Sequence, residues 1–393
     1  MSDIHDNMMA RWAHVQTCLF PFMREELDPC TEALERLIIV LDTIGLEAYV
    51  PSPPSHGRGR KPDDRRALAR AFIAKAMFSM PTTVSLIERL AVDKSLRLIC
   101  GWETRRAVPS ESTFSRAFEE FAQSELPGRL HEALVRRSVG DRVIGCVARD
   151  ATEIEAREKP SKHDDPPPPP PPTIDPPRKR GRPCKGEERP TPSPTRLERQ
   201  VSQSVPEMLN ELPTECDVGC KKNSKGYKET WIGYKLHIDV ADGQIPVACL
   251  LTSASVHDSQ AAIPLMTITG QRITYLYDLM DSAYDAAGII EHSRFLGHVP
   301  IVDLNFRAAT DIKDQHEAEN KRREFIHQTD PDRILYRFRT MVERINARLK
   351  DEFGGRFIRV RGATKVMCHL MFGMIALTVD QILRAFKPEL RTA

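Results

Sequence analysis

The segment YRFRTMVERINARLK, from Tyr336 to Lys350, constrains the fold most, because it predicts one helix with an unusual polar face. It contains no proline or glycine, and Leu, Arg, Glu and Lys favour helix. At about 100° per residue, Tyr336, Arg339, Glu343 and Lys350 fall within about 60° of one another. We therefore expect a phenol, a guanidinium, a carboxylate and an ammonium group to share this face.

The other two faces of this helix have separate predicted roles. An apolar stripe on the far side predicts contact with the core through Phe338, Met341, Val342, Ile345 and Leu349. A basic stripe, able to follow DNA phosphates, consists of Arg337, Arg344 and Arg348. A carboxylate flanked by cations is also typical of a salt-bridged surface helix, and this pattern alone leaves that alternative open.

The spacing Tyr-x2-Arg-x3-Glu-x6-Lys resembles the signature around the third acidic residue of bacterial insertion-sequence transposases of the DDE type. The resemblance implies that Glu343 is a catalytic carboxylate and that Tyr336, Arg339 and Lys350 contact DNA. It also implies two aspartates upstream, each at the end of a buried strand.

Two aspartates meet that expectation. The β-type run Arg142–Ala148 leads to Asp150, although an aspartate here is equally typical of a turn. The motif reads Asp-Ala-Thr, where Asp-Gly-Thr or Asp-Ser-Thr is more usual in the family. The strand Ile273–Met280 leads to Asp281 in a D-x-A-Y context like the family's second acidic motif. Asp278 lies three residues earlier and is expected to face the opposite side of the strand.

The order of the remaining elements predicts the fold class. A hairpin (Ile232–Val240 and Ile245–Thr252), a helix capped by Asp258 or Ser259, a strand near 298–305 and a last helix (Val366–Phe386) follow the first strand. This order is typical of a ribonuclease-H-like α/β domain with a mixed sheet. Residues 141–155 are expected to form its first strand and residues 213–388 the remainder.

Residues 156–212 are predicted to form a disordered Pro-rich insertion, because seven consecutive prolines and a run of charged residues cannot bury a core. Within it, Arg180-Gly181-Arg182-Pro183 resembles an AT-hook. Arg180 and Arg182 would then enter a narrow A·T minor groove. A plain basic linker with nonspecific affinity for DNA is the alternative.

Residues 1–140 are predicted to be a helical N-terminal domain. Short helices alternate with basic stretches such as His56–Arg66, which suits a DNA-binding domain and equally suits any helical bundle. The segment also resembles the helical domain that precedes the catalytic domain in many of these transposases. DNA binding by this domain is therefore expected.

Composition limits the choice of compartment and partner. The net charge is only +2, so affinity for DNA has to come from clustered charge. Nine unevenly spaced cysteines and no apparent signal peptide indicate a reducing compartment, and the family resemblance implies the bacterial cytoplasm. The apolar run Val366–Leu383 is interrupted by His369 and Asp380, which predicts a buried helix and no membrane span.

The resemblance implies phosphodiester cleavage and strand transfer by two Mg²⁺ ions, or Mn²⁺ in their place, held by Asp150, Asp281 and Glu343. The implied partners are double-stranded DNA, both the terminal inverted repeats and the target, and a second copy of the chain in a homodimer. Two alternatives stay open. One is a ribonuclease-H-like nuclease that does not join DNA, and the other is an inactive DNA-binding protein derived from a transposase.

Overall fold

The structure is a computed structural model that describes residues 30–50, 63–161, 194–222, 226–303, 314, 317–319, 321–322 and 331–386. Within these ranges, the helices before the first strand are α1 (Glu32–Ile44), α2 (Arg65–Met77), α3 (Thr83–Val92), α4 (Lys94–Cys100), α5 (Glu111–Gln123) and α6 (Leu126–Val139). The next elements are β1 (Val143–Glu155), α7 (Arg196–Gln200), α8 (Val205–Glu211), β2 (Asp217–Lys222), β3 (Lys228–Ala241) and β4 (Ile245–Ser253). The last are α9 (Ala262–Arg272), β5 (Thr274–Met280), α10 (Ala287–Phe295), β6 (Val299–Val302), α11 (Pro331–Tyr336), α12 (Thr340–Asp351) and α13 (Ala363–Phe386).

The strands form one mixed sheet in the order β2-β3-β1-β5-β6, with β4 also paired to β3. β1 is antiparallel to β3 and parallel to β5, and β6 continues the sheet parallel to β5. β3 and β4 form the expected antiparallel hairpin. The predicted α/β architecture with a mixed sheet is therefore confirmed, whereas β2 was not predicted.

Helix α13 is the centre of the packing. It contacts α2, α5 and α6 on one side and β4 and α12 on the other. Its Phe372 stacks on Phe72 of α2 with ring centroids 5.6 Å apart. The described residues before β1 are helical, and their core is continuous with that of the sheet. A separate N-terminal domain therefore stays a prediction.

In the described part of the chain, α13 is also the one helix that is long and apolar enough to cross a membrane. Of its most apolar window, 78% is buried within the protein. Other protein elements cover this surface, as expected for a core helix.

The predicted disorder of residues 156–212 is wrong for residues 194–212. Helices α7 and α8 both begin with a capping box, in which a hydroxyl and a glutamate satisfy the first backbone N–H groups. Met208 of α8 is buried against Ile263 and Met266 of α9. Apolar burial thus orders the end of the insertion. The proline run and the AT-hook arginines Arg180 and Arg182 lie outside the described residues.

Candidate functional site

Asp150 and Asp281 lie on neighbouring parallel strands. The register of β1 and β5 pairs Ala148 with Leu279, and the same register continued by two residues brings Asp150 level with Asp281. Adjacent strands are about 4.8 Å apart. Strand β1 lies within the predicted range 141–155, but Asp150 is inside the strand and not at its end as expected, because pairing with β3 carries the strand on to Glu155. β5 ends at Met280, so Asp281 directly follows this strand.

Both carboxylates resist ionisation. Burial raises the pKa of Asp150 to about 7, and the negative charges of Asp281 and Asp258 add to the effect. Burial also raises the pKa of Asp281, as do the charges of Asp258 and Asp303. From the sequence, Asp258 was expected only to cap a helix. In the structure His257 has that role. Asp258 and Asp303 therefore add more negative charge to the site than the sequence predicted.

The segment that carries the third acidic residue is not one continuous helix. Helix α11 ends at Tyr336, residues Arg337–Arg339 form a turn of 3₁₀-helix, and α12 begins at Thr340. The predicted core position of Phe338 is wrong, because its side chain is 49% exposed. The tighter winding of a 3₁₀ turn shifts the faces on either side of it. The other predicted core residues of this segment are buried, namely Met341, Val342, Ile345 and Leu349.

Arg339 connects Glu343 to the two aspartates. Its Nη2 donates to Glu343 Oε1 at 2.5 Å, across one turn of helix. Its guanidinium carbon lies 5.8 Å from the ring centroid of Tyr336. The same positive charge partly offsets the rise in the pKa of both Asp150 and Asp281. Tyr336, Arg339 and Glu343 are thus brought to the side of the sheet on which Asp150 and Asp281 lie.

Lys350 forms an ion pair with Glu153. Its Nζ donates to Glu153 Oε1 at 2.8 Å, and Lys221 Nζ donates to the other oxygen at 2.7 Å. Burial opposes the ionisation of Glu153, but these two hydrogen bonds outweigh it and the pKa falls to about 2. A DNA phosphate would compete with Glu153 for Lys350 and Lys221.

Of the three arginines predicted to form a basic stripe, two are exposed and one is largely buried. Arg348 donates to Glu352 and, at 2.8 Å, to Asp380 of α13, and its side chain is only 14% exposed. These carboxylates hold it in an ion-pair network that phosphate binding would have to open, so its expected role in DNA binding stays a prediction. The side chains of Arg337 and Arg344 are exposed.

Asn346 is a site residue that the sequence interpretation missed. It is buried on α12, and its Nδ2 lies 3.5 Å from Asp150 Oδ2. Its Oδ1 has no hydrogen-bond partner among the described residues. The available signal was its position one turn after Glu343 in a helix, which puts both side chains near one face. Asn346 is the residue through which α12 contacts the first aspartate.

A buried charge cluster lies on the other side of the same strands. Arg149 is 1% exposed and pairs with Asp239 of β3 at 2.7 Å and with Asp278 of β5 at 3.5 Å. Asp278 also accepts from Tyr275 and Ser293. Despite burial, the hydrogen bond with His298 and the charge of Arg149 lower the pKa of Asp278. Asp278 thus belongs to this cluster and not to the site that contains Asp150 and Asp281.

Two of the three predicted metal ligands, Asp150 and Asp281, are placed as a hard divalent cation would require, and Glu343 is not. Carboxylate oxygens are the ligands that Mg²⁺ prefers, and a cation would relieve the unfavourable charge of Asp150 and Asp281. Glu343 is instead turned to Arg339. Among the described residues, no three His, Cys, Asp or Glu side chains lie close enough together to hold a metal ion. Metal binding by all three acids requires Glu343 to leave Arg339.

The mixed sheet and the paired aspartates at one level of adjacent strands are consistent with the ribonuclease-H-like class of phosphodiester-cutting proteins. Residues 145–379 match the family model described as Transposase DDE domain, and residues 23–120 match one described as Transposase domain (DUF772). The first match spans more than half of the chain, which therefore belongs to the DDE transposase family. Enzymes of this family act on DNA and generally use divalent metal ions. No curated protein and no solved structure matches the chain.

Proposed function

We propose that this protein binds the ends of its insertion sequence, cleaves phosphodiester bonds there with two divalent metal ions, and joins the 3′-ends to target DNA. The observation that carries the proposal is the level placement of Asp150 and Asp281 on β1 and β5. Arg339 and Glu343 approach this pair from α12 and the turn before it.

Asp150, Asp281 and Glu343 are the proposed metal ligands. Divalent ions held there would offset the buried negative charge and stabilise the attacking and leaving oxygens of the displacement. Arg339 has two possible anionic partners, Glu343 and the DNA phosphate, and a guanidinium binds either with two parallel hydrogen bonds. When DNA enters, Arg339 exchanges Glu343 for the phosphate. The freed Glu343 carboxylate can then turn towards Asp150 and Asp281.

The remaining contacts follow the surface of the same elements. Tyr336 offers a hydroxyl to a phosphate or a ring to an extruded base. Arg337 and Arg344 are free to follow the phosphate backbone, and Lys350 joins them when it releases Glu153. Arg180 and Arg182 add minor-groove contacts. A homodimer would pair two DNA ends, since each end needs its own set of catalytic carboxylates.

The test uses purified protein, Mg²⁺ and a labelled duplex that carries the DNA ends flanking the gene. We expect the wild type to nick and join these ends, whereas Asp150→Asn, Asp281→Asn and Glu343→Gln bind them without cutting. Asp351→Asn is a matched control, because Asp351 lies on the same helix, is exposed and pairs only with Arg356 among the described residues. Loss of cutting in this control would show that the substitutions act through folding.

The products separate the proposal from its two alternatives. Cut ends without joined products would identify a nuclease of the same fold. Binding of the ends by a wild type that never cuts would indicate a DNA-binding protein derived from a transposase. Variants that cut as fast as the wild type would contradict the assignment of the three carboxylates.

A further inference from the structure

A second candidate site lies between the N-terminal helices and the segment that joins α12 to α13. It is a cavity of about 340 Å³ lined by α2, α3, α5, α13 and residues 357–361. Cavities that hold small ligands begin at about 300 Å³. The residues that line it include none of the proposed catalytic residues.

Lys75 of α2 lines this cavity and has no acidic partner. Its side chain is 8% exposed, and the described residues provide it with neither a hydrogen bond nor an ion pair. Burial lowers its pKa to about 8, so it still carries its charge at neutral pH. A buried unpaired ammonium group is costly unless an anion accompanies it. The buried, unpaired Lys75 side chain is therefore the first observation that indicates an anionic ligand.

The neighbours of Lys75 do not neutralise it. His369 of α13 hydrogen-bonds the Gly354 carbonyl oxygen, and burial together with the charge of Lys75 lowers its pKa to about 4. His369 is therefore neutral at physiological pH. Lys365 is paired with Glu119 of α5. Glu111 is the one carboxylate among the described lining residues.

Residues 357–361 supply an aromatic ring and two further cations. The segment forms neither helix nor strand, and Ile358 is buried in the core with 6% exposure. Phe357, Arg359 and Arg361 line the cavity together with Val360. The Phe357 ring is 39% exposed. Arg359 has no partner among the described residues, and Arg361 donates only to a backbone carbonyl, that of Arg157 at 3.3 Å.

We propose that this cavity binds one unpaired nucleotide, with its phosphate held by Lys75, Arg359 and Arg361 and its base stacked on Phe357. Cations bind phosphate through charge-assisted hydrogen bonds, and aromatic rings stack on bases of any sequence. The nucleotide can come from a DNA strand or from solution. The proposed function enters only in the choice of DNA as the expected source, because the segment follows directly after the helix that carries Glu343.

The experiment measures binding by the full chain in EDTA, so that no cleavage is required. The probes are a fluorescent duplex with a single unpaired 5′-phosphorylated nucleotide, the same duplex with blunt ends, and deoxyadenosine monophosphate as competitor. We expect the wild type to bind the duplex with the unpaired nucleotide about tenfold more tightly than the blunt one. Competition by the free nucleotide with equal preference for both duplexes would instead identify a solution nucleotide as the ligand.

Variants test which residues provide the preference. Phe357→Ala and Arg359→Ala change exposed side chains and should remove it. Arg356→Ala is the matched control for Arg359, since Arg356 is exposed in the same segment, pairs with Asp351 and does not line the cavity. Phe295→Ala, at a ring that is 83% exposed on α10, is the control for Phe357. Both controls should keep the preference.

Lys75→Met retains the apolar stem of the buried side chain and should also remove the preference. Its thermal unfolding is measured beside the wild type, and if it does not fold, the two exposed variants still decide the question. The proposal is overturned if the wild type binds neither the unpaired nucleotide nor the free one with any advantage. It is equally overturned if the preference survives both Phe357→Ala and Arg359→Ala. A chain that never cuts DNA but shows this pattern would contradict the proposed function and leave the nucleotide site intact.

Discussion

Arg339 forms an ion pair with Glu343 one helical turn away, while its positive charge partly offsets the rise in the pKa of Asp150. One guanidinium group thus acts on both the proposed third metal ligand and the first. The family signature specifies these residue types, but only the structure shows that Arg339 and Glu343 contact one another before DNA is bound.

Arg339→Ala is expected to slow DNA cleavage by at least about 100-fold, because a single electrostatic contact to the reacting group typically contributes this much. Binding to DNA should weaken more modestly, with the salt dependence of affinity reduced by about one phosphate contact. Arg339→Lys should restore the salt dependence and only part of the rate, since lysine does not bind bidentately. Equal cleavage rates for Arg339→Ala and the wild type would contradict the exchange mechanism.

Asp150→Asn is expected to stabilise the metal-free protein at alkaline pH. The carboxyl of Asp150 has a pKa of about 7 in the folded chain and 3.8 as its ordinary value, so folding favours its protonated form. Its contribution to stability is therefore present below about pH 4 and is lost as pH rises through 7. In EDTA the variant should match the wild type at pH 4.

At pH 8 the same variant should unfold with a free energy higher by about 4 kcal/mol, since the pKa of Asp150 rises by about three units and each unit is worth about 1.4 kcal/mol. Urea denaturation at both pH values measures the difference. Addition of Mg²⁺ should stabilise the wild type at pH 8 and have little effect on Asp150→Asn. A variant less stable than the wild type at pH 8 in EDTA would show that Asp150 is not under electrostatic strain.

Arg149→Met is expected to destabilise the fold by about 3–5 kcal/mol, because it leaves Asp239 and Asp278 buried without their cation. Adding Asp239→Asn to this variant should recover part of the loss, since one of the two unpaired charges is then removed. Arg356→Ala, at an exposed ion pair, should change the free energy of unfolding by less than about 1 kcal/mol. Equal effects of the buried and the exposed substitution would show that the cluster does not hold the strands together.

The sequence was sufficient to predict the fold class and the strands that position the two aspartates, because runs of hydrophobic residues mark buried strands. It did not predict the 3₁₀ turn at Arg337–Arg339, since these residues favour helix and the turn depends on tertiary packing. Arg348 illustrates the same limit. Its position on a basic stripe was clear, but its carboxylate partner Asp380 lies on another helix that only the folded chain brings near.

Buried polar residues were the hardest to predict. Arg149 and Asn346 stand beside the predicted catalytic residues, yet polar residues next to a motif are usually exposed. Their burial depends on partners from β3, β5 and β1 that no local pattern reveals. The burial of Lys75, within the predicted helical N-terminal domain, was likewise not foreseen, because the segment that forms the other wall of its cavity is about 280 residues away in the chain.

The pH dependence of nucleotide binding provides an independent test of the Lys75 site. Lys75 is charged below its pKa of about 8 and neutral above it, and only the charged form attracts a phosphate. The affinity of the wild type for the duplex with the unpaired nucleotide should therefore fall as pH rises from 7 to 9. His369, which faces the same cavity, is already neutral in this window, and carboxylate, guanidinium and other ammonium groups ordinarily titrate outside it. Lys75→Met should bind weakly at both pH values, and a wild-type affinity that does not change between them would exclude Lys75 as the phosphate ligand.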